Sequence, residues 1–395
     1  MKYCIIVPDG AADFAVPELD DRTPLEVARI PNMDRAAREG LLGQVNTVPR
    51  RMEPGSDVAT MSLVGYNPNE YYTGRAPLEA VDMGVELEAD QWGFRCNFVT
   101  VDEGVLQDFC AGHITSEEAS ELIAVLNDEL GSADVQFHVG TGYRNLMVYR
   151  PSSYLDIETN PPHQVMGESI MDILPQGKGS TRIIELMKAS RKVLREHEVN
   201  AVRRDLGQNP GNMIWLWGEG KRPRMEPFSE KYGRSGAAIS AVNLVRGIAR
   251  LIGWEIIEVP GITGYTDTDY GAKGRYAIDA LNRVDLVLVH VEASDEASHD
   301  QDPAAKVRAI EQIDQNVVGP VMAAREDLGE LRVLVMPDHV TSVEHGRHMR
   351  GPVPMAMWGD GIQARSDMDF DETHAAETDI MYEKGHELMK SFLHQ

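Results

Sequence analysis

Six side chains able to hold a divalent cation lie at or beyond the ends of three apolar runs of this 395-residue chain. Asp9 follows "YCIIVP", Asp295 and His299 follow "DLVLVHVE", and Asp338 and His339 follow "RVLVMP", with His348 beyond them in "EHGRHMRGPVP". Carboxylates and imidazoles without thiolates suit Mn²⁺, Mg²⁺ or Zn²⁺. Six groups exceed what one ion takes, so the set implies two ions, an arrangement that recurs where phosphoryl groups are transferred. In "VHVEASDEASHD" a helix beginning within 294–301 would bring Asp295 and His299, spaced i and i+4, onto one face. A single aspartate after a strand is commonly a turn or cap residue. The same ligand chemistry repeated at three strand ends is what argues for a site.

Such a site needs a group to attack. In "PGSDVATMSLVGYNP" (54–68) Ser56 follows Pro-Gly and precedes the apolar stretch of a helix. Backbone N–H groups and the positive helix end beside it favour an incoming phosphate, and a metal can lower the hydroxyl's pKa. The plainer reading is an N-cap serine, although Ala59 stands where a capping box wants Glu or Gln. Thr60 and Ser62 fall inside the expected helix and are weaker nucleophile candidates.

These residues have to be positioned by the elements before them. "YCIIVPDG" (3–10), "MIWLWGEG" (213–220), "EIIEVPG" (255–261), "DLVLVHVE" (285–292) and "RVLVMPDH" (332–339) are continuous apolar runs, the pattern of strands buried on both faces of a parallel sheet. Helical spacing is expected over 236–253 and 302–327. The alternation gives an α/β class with a doubly wound, mostly parallel sheet, whose sites form beyond the carboxyl ends of the strands. The middle of the chain differs: a hairpin in "WGFRCNFVTVDEGVLQDF", then a helix over 115–130 opened by a Thr115/Glu118 capping box. The expected organisation is a sheet domain of residues 1–87 and 206–395 with a smaller α/β domain, 88–205, inserted into it.

Composition narrows the function. A net charge of −25 disfavours nonspecific binding to nucleic acid or anionic membrane. Three cysteines without a CxxC pair suit a reducing cytoplasm. The apolar run at the N-terminus is too short for a signal peptide, and no run reaches membrane-spanning length. Two nucleotide motifs fail. "LPQGKGST" (174–181) has Gly179 where Ser or Thr must follow Lys178 and Asp172 in place of the first glycine, and "GTGYRN" (140–145) ends in Asn145. Both read as turns.

Taken together, "VPDGAAD", "GSDVATMSLVGYNP", "YTGRAPLEA", "LWGEG", "PGITGYTDTDYGAKG", "VHVEASDEASHD" and "PDHVTSVEHGRH" resemble the archaeal type of cofactor-independent phosphoglycerate mutase, in the alkaline phosphatase superfamily. The likeness spans nearly the whole chain. It implies an alkaline phosphatase-like sheet domain, Ser56 as nucleophile, and Asp9, Ser56, Asp338 and His339 at one metal with Asp295, His299 and His348 at the other. It further implies Lys273 as a lysine steadying the phosphoryl group or the serine oxygen, and Arg144, Asp108 and His163 as contacts to a small phosphorylated substrate. The cofactors it implies are two divalent ions, Mn²⁺ foremost with Mg²⁺, Zn²⁺ or Co²⁺ as alternatives, and no 2,3-bisphosphoglycerate. One departure bears on the substrate: "QDFCAGHIT" (107–115) carries Phe109, Cys110 and His113 where the family usually has arginine. His345 is an additional imidazole, read as a surface residue. The competing readings are a metal-dependent phosphatase, a small-molecule kinase of the homoserine kinase kind, and a non-enzymatic metal-binding module.

Overall fold

The computed structural model describes residues 1–365 and 367–394. The chain divides into two compact units, Met1–Tyr72 with Arg224–Gln395, and Thr73–Pro223. Among the described residues no helix is long and apolar enough to cross a membrane.

The first unit is built on an eight-stranded sheet. Its strands, in chain order, are β1 (Lys2–Pro8), β2 (Leu41–Val45), β3 (Gly236–Ile239), β4 (Glu255–Ile256), β5 (Leu286–Val291), β6 (Leu331–Val335), β7 (Val353–Gly359) and β8 (Met381–Tyr382). They lie side by side as β4-β3-β5-β1-β6-β7-β2-β8. Only β7 runs against the rest, pairing antiparallel with β6 and β2. Ile5, Ile6, Val287 and Val289 are all fully buried, as expected of central strands covered by helices on both faces. Three helices of this unit carry candidate site residues: α1 (Ser56–Leu63), α2 (Tyr270–Leu281) and α3 (Ala293–His299).

The second unit is antiparallel. Its long strand Trp92–Asp102 pairs with Arg144–Tyr149 and with Met213–Gly220, and turns back into Val105–Asp108. Phe94, Phe98, Leu122, Met147 and Trp215 form its core. Helix Ser116–Leu130 opens with both halves of the Thr115/Glu118 capping box in place.

Three expectations are corrected and a fourth is refined. Residues 213–220 do form a strand, but in the antiparallel sheet of the second unit. Helices Arg75–Asp82 and Ser180–Leu194 both pack against it, and burial of a strand says nothing about its direction. For the same reason the second unit is wider than 88–205: Arg75–Asp82 and Met213–Gly220 belong with Trp92–Asp102. The stretch 236–253 begins as strand β3 before helix Asn243–Leu251. A short buried apolar run is ambiguous by periodicity, and the parallel pairing of Gly236–Ile239 with Leu286–Val289 decides it. The expected helix over 302–327 is present, but it is not uniform: Pro303–Ile313 runs into a π-helical turn Asp314–Val318, then Gly319–Ala323 and, past Ala324, Arg325–Leu328. Pro320 has no N–H to give and its ring crowds the preceding turn, which widens there.

Because Ile6 sits at the centre of β1 with no exposure, Ile6→Ala is expected to cost about 2–5 kcal/mol, the range for such core truncations. Val202→Ala, half-exposed on a helix, should change stability by less than about 0.5 kcal/mol. Urea midpoints at unchanged slope measure both; equal effects would mean that β1 is not the centre of the core.

Candidate metal centre

Strand register decides which side chains meet. The parallel pairing of β1 with β5 ends at Pro8↔Val291, so the next residues in line are Asp9 and Glu292. On the other side Ile6 pairs with Val335, and the same count reaches Asp338 opposite Asp9. Three adjacent parallel strands therefore deliver carboxylates to one edge. Helix α3 starts directly after β5, and its pitch brings His299 Nε2 to 3.2 Å from Asp295 Oδ2. Past Asp338 and His339 the chain forms a hairpin, Val340–Ser342 with Arg347–Met349, which returns His348 to the same place.

The six expected ligands fall into two groups, Asp9 with Asp338 and His339, and Asp295 with His299 and His348, each with donor atoms within 4.8 Å of one another. In the first, His339 Nε2 lies 3.3 Å from Asp9 Oδ1 and 3.5 Å from Asp338 Oδ2. In the second, His348 Nε2 lies 3.5 Å from Asp295 Oδ1 and 3.1 Å from His299 Nε2. The groups adjoin, with the His339 and His348 rings 4.2 Å apart. Gly10 makes this closeness possible. Its φ is +58°, and a Cβ there would fall 2.4 Å from Asp295 Oδ1 and 2.5 Å from Thr341 Oγ1.

Ser56 is the first residue of α1, with Gly55 as the N-cap, and its hydroxyl caps nothing. Instead Oγ is 3.1 Å from His339 Nε2 and 3.4 Å from each oxygen of Asp9. Thr60 and Ser62 lie inside the helix and are buried. His345 belongs to neither group; it is exposed and shares a hydrogen bond with Ser342.

The electrostatics fit a cation. Burial, then the charges of Asp338 and Asp295, push the Asp9 carboxyl well above the usual range. Asp338 Oδ2 is buried and accepts no hydrogen bond. Burial holds His339 down to about 4, so it is neutral at pH 7. Burial opposes the charged form of His299, but Asp295 beside it carries the imidazole up to about 9. His299 Nδ1 lies 2.9 Å from the Gly346 carbonyl and His348 Nδ1 3.2 Å from that of Pro54. A carbonyl only accepts, so both Nδ1 atoms carry hydrogen and Nε2 is the nitrogen left to bind a metal, once any proton there is displaced. Oxygen and imidazole donors in two adjoining clusters, one with an unsatisfied buried carboxylate oxygen, suit two hard or borderline divalent ions.

Lys273, on α2, differs from the expected role. Its buried ammonium donates to Glu292 Oε2 at 2.6 Å and to the His290 carbonyl at 2.9 Å. Glu292 Oε1 is 3.4 Å from His290 Nδ1, and His290 Nε2 is 3.3 Å from Asp9 Oδ2. The lysine thus stands at the far end of a chain leading to Asp9. His290 and Glu292 were missed by sequence reasoning, although a histidine inside "LVLVHV" two positions before a glutamate shares its face of the sheet. Lys306 is equally buried and pairs with Asp13 at 2.8 Å.

Arg144, Asp108 and His163 lie in the second unit. Arg144 is exposed at the start of its strand, its guanidinium 4.6 Å from the Tyr143 ring. Tyr143 and His163 both flank Phe109, at 5.8 and 6.2 Å between ring centres, and His163 also meets Trp217. Asp108 is a turn former: it accepts from the backbone N–H groups of Cys110 and Gly112 and from Asn209, which steadies a loop where Ala111 and His113 take positive φ. Segment 140–145 is the hairpin turn before Arg144–Tyr149. Lys178 ends a short strand paired with Asp156–Glu158, and neither segment is a phosphate loop.

Comparison with known proteins agrees with this architecture. A family profile described as 2,3-bisphosphoglycerate-independent phosphoglycerate mutase matches residues 37–200. The chain is 49% identical to 2,3-bisphosphoglycerate-independent phosphoglycerate mutase 2 of Methanothermobacter thermautotrophicus, over 99% of this chain and 96% of that one. It is 46% identical to the Methanothrix thermoacetophila protein of the same description, over 99% of each. Among solved structures, a Pyrococcus horikoshii protein superposes with a TM-score of 0.82 at 28% identity, covering 99% of this chain and 97% of that one. The cofactor-independent phosphoglycerate mutase of Thermoplasma acidophilum gives 0.66 at 26% identity, covering 100% and 99%. Full-length identity at this level, on the same fold, settles the relationship: the chain belongs to the 2,3-bisphosphoglycerate-independent phosphoglycerate mutase family.

Proposed function

We propose that this chain is an isomerase that interconverts 3-phosphoglycerate and 2-phosphoglycerate through a phosphoserine at Ser56, without 2,3-bisphosphoglycerate. The observation carrying this reading is a non-capping serine hydroxyl at a helix start, 3.1 Å from a neutral imidazole and beside two clusters of metal-binding donors. The names of the full-length relatives support the same activity. Asp9, Ser56, Asp338 and His339 would hold one divalent ion and Asp295, His299 and His348 the other, with Mn²⁺ the first candidate. Bound there, the ions would supply Lewis-acid stabilisation of the hydroxyl and of the charge on the transferring phosphoryl group.

Ser56 Oγ forms a bond to phosphorus as the ester bond to the glycerate oxygen breaks, and the serine proton ends on that freed oxygen. Reversal at the neighbouring hydroxyl gives the isomer and regenerates the serine. Without an ion, His339, neutral at pH 7, accepts the serine O–H through Nε2; with an ion held there that lone pair would go to the metal, and Ser56 Oγ would stand beside it as a further ligand. The first N–H groups of α1 face the incoming phosphate. Lys273 holds Glu292, whose other oxygen faces His290 Nδ1, and His290 stands against Asp9. Arg144 would bind the glycerate carboxylate. A kinase reading has less support, since neither 174–181 nor 140–145 forms a nucleotide cradle. The three buried, unpaired thiols fit a reducing cytoplasm as the working compartment.

Ser56→Ala should leave a folded protein, because no cap bond is lost, while mutase turnover falls by several orders of magnitude. Wild-type protein quenched during turnover should carry phosphate on Ser56 by peptide mass spectrometry. Retention of most activity by the alanine variant would refute the mechanism. Arg144→Ala should lower mutase turnover and spare slow hydrolysis of a generic phosphate ester; an equal loss of both would move Arg144 out of substrate binding.

Metal uptake should be proton-linked. With its pKa near 9, His299 is cationic at pH 7 in the metal-free protein, and the ion must displace that proton. Apparent Mn²⁺ affinity should therefore rise with pH up to about 9, by about tenfold per unit for each proton displaced. Calorimetric titration of Mn²⁺ in buffers of different ionisation enthalpy should show release of at least one proton at pH 7. Uptake without proton release would remove His299 from the ligand set.

A further inference from the structure

We infer that Thr341 is a positioning residue whose single hydroxyl proton links the two ligand groups and sets which nitrogen of His339 is left bare. This rests on the metal-dependent reading above, but its chemistry is a matter of hydrogen-bond direction. Thr341 Oγ1 lies 2.6 Å from Asp295 Oδ1 in one group and 3.0 Å from His339 Nδ1 in the other. An ionised carboxylate can only accept, so the one hydroxyl hydrogen goes to Asp295. The hydroxyl then has only lone pairs to offer His339, and Nδ1 has to be the N–H donor. A neutral imidazole carries one N–H, so Nε2 is bare. That nitrogen is the one 3.1 Å from Ser56 Oγ and 3.3 Å from Asp9. His299 and His348 are fixed by carbonyls; His339 alone among the three depends on a group that could have pointed either way.

Thr341 is held for this task on all sides. It is fully buried. Its N–H donates to the Ala12 carbonyl, and its own carbonyl accepts from the buried Lys306 ammonium at 2.7 Å. In the hairpin it pairs directly with His348. The missing Cβ of Gly10 leaves room for Oγ1 and Asp295 Oδ1 together.

Thr341→Val keeps the branched shape and removes the hydroxyl, and Thr341→Ser keeps the hydroxyl and removes the methyl. Affinity for Mn²⁺ is read by competition with a fluorescent chelator, and the visible spectrum of bound Co²⁺ reports ligand geometry; both are done without substrate. The valine variant should bind Mn²⁺ about 10–100-fold more weakly, the usual effect of losing a group that orients a metal-bound histidine, with an altered Co²⁺ spectrum. The serine variant should stay within a few-fold of wild type. Wild-type affinity and spectrum in the valine variant would overturn the inference, as would equal losses in both variants, which would point to methyl packing. Should the valine variant fail to fold, ¹⁵N-histidine spectra of metal-free wild-type protein still decide: His339 is expected with hydrogen on Nδ1 and none on Nε2, and the opposite tautomer overturns the inference. Wild-type protein that binds Mn²⁺ as described yet lacks mutase activity would strike the functional reading and leave this one standing.

Discussion

Mutual repulsion among carboxylates at one sheet edge governs the rest of the first unit. Asp9, Asp338, Glu292 and Asp295 are all buried where the adjacent strands β5, β1 and β6 end. Like charges this close in a poorly solvated site cannot all stay ionised without compensation, and Asp9, at the centre, is the one driven toward its protonated form. The sheet register that creates the problem is stabilised by apolar burial along the strands. The polar edge is thus sustained by a core that gains nothing from it.

Two fully buried lysines supply part of the compensation, each carried by a helix of the first unit. Lys273 pairs with Glu292 behind Asp9, and Lys306 pairs with Asp13 under the hairpin that carries His348. Buried ion pairs of this kind add little net stability, because desolvation offsets most of the attraction. Their value here is geometric. Lys273 fixes Glu292, which faces His290 Nδ1, and His290 in turn stands against Asp9; Lys306 fixes the Thr341 carbonyl and, through Asp13, the Val343 N–H. Removing either ammonium would leave a buried carboxylate uncompensated next to the site, so the two lysines cannot be judged as ordinary core residues.

The parts of this site that were legible in the sequence share one property: each is a local pattern. Asp295 and His299 are four apart on a helix, Asp9 and Asp338 follow apolar strands, and Ser56 follows Pro-Gly at a helix start. The strands β1, β5 and β6 were legible for the same reason. What escaped depends on pairing between distant segments. The run 236–239 has helical spacing with its neighbours and becomes a strand only because it pairs with β5. Residues 213–220 are apolar enough for either unit, and only their partner, Trp92–Asp102, assigns them. Lys273 was placed by resemblance, but its contact with Glu292 depends on how α2 packs against β5, and Asp108, which sequence likeness made a substrate contact, is held by three donors of its own loop and by Asn209 from a distant segment.

Thr341 escaped for a deeper reason. A threonine beyond Asp338 and His339 has no special residue type or spacing, and its importance lies in the direction of one hydrogen. An imidazole binds a metal through a nitrogen that carries no hydrogen, and a fixed acceptor at the other nitrogen settles which one that is. Backbone carbonyls do this for His299 and His348, that of Gly346 in the hairpin turn for the first and that of Pro54 before α1 for the second. His339 instead faces a hydroxyl, which accepts from the imidazole because its own hydrogen is donated to Asp295. The direction of the Thr341 hydrogen bond to Asp295 in one group therefore goes with the tautomer of His339 in the other. On the metal-dependent reading the two clusters are not independent sites that happen to touch, because one threonine hydroxyl faces a carboxylate of one and an imidazole of the other.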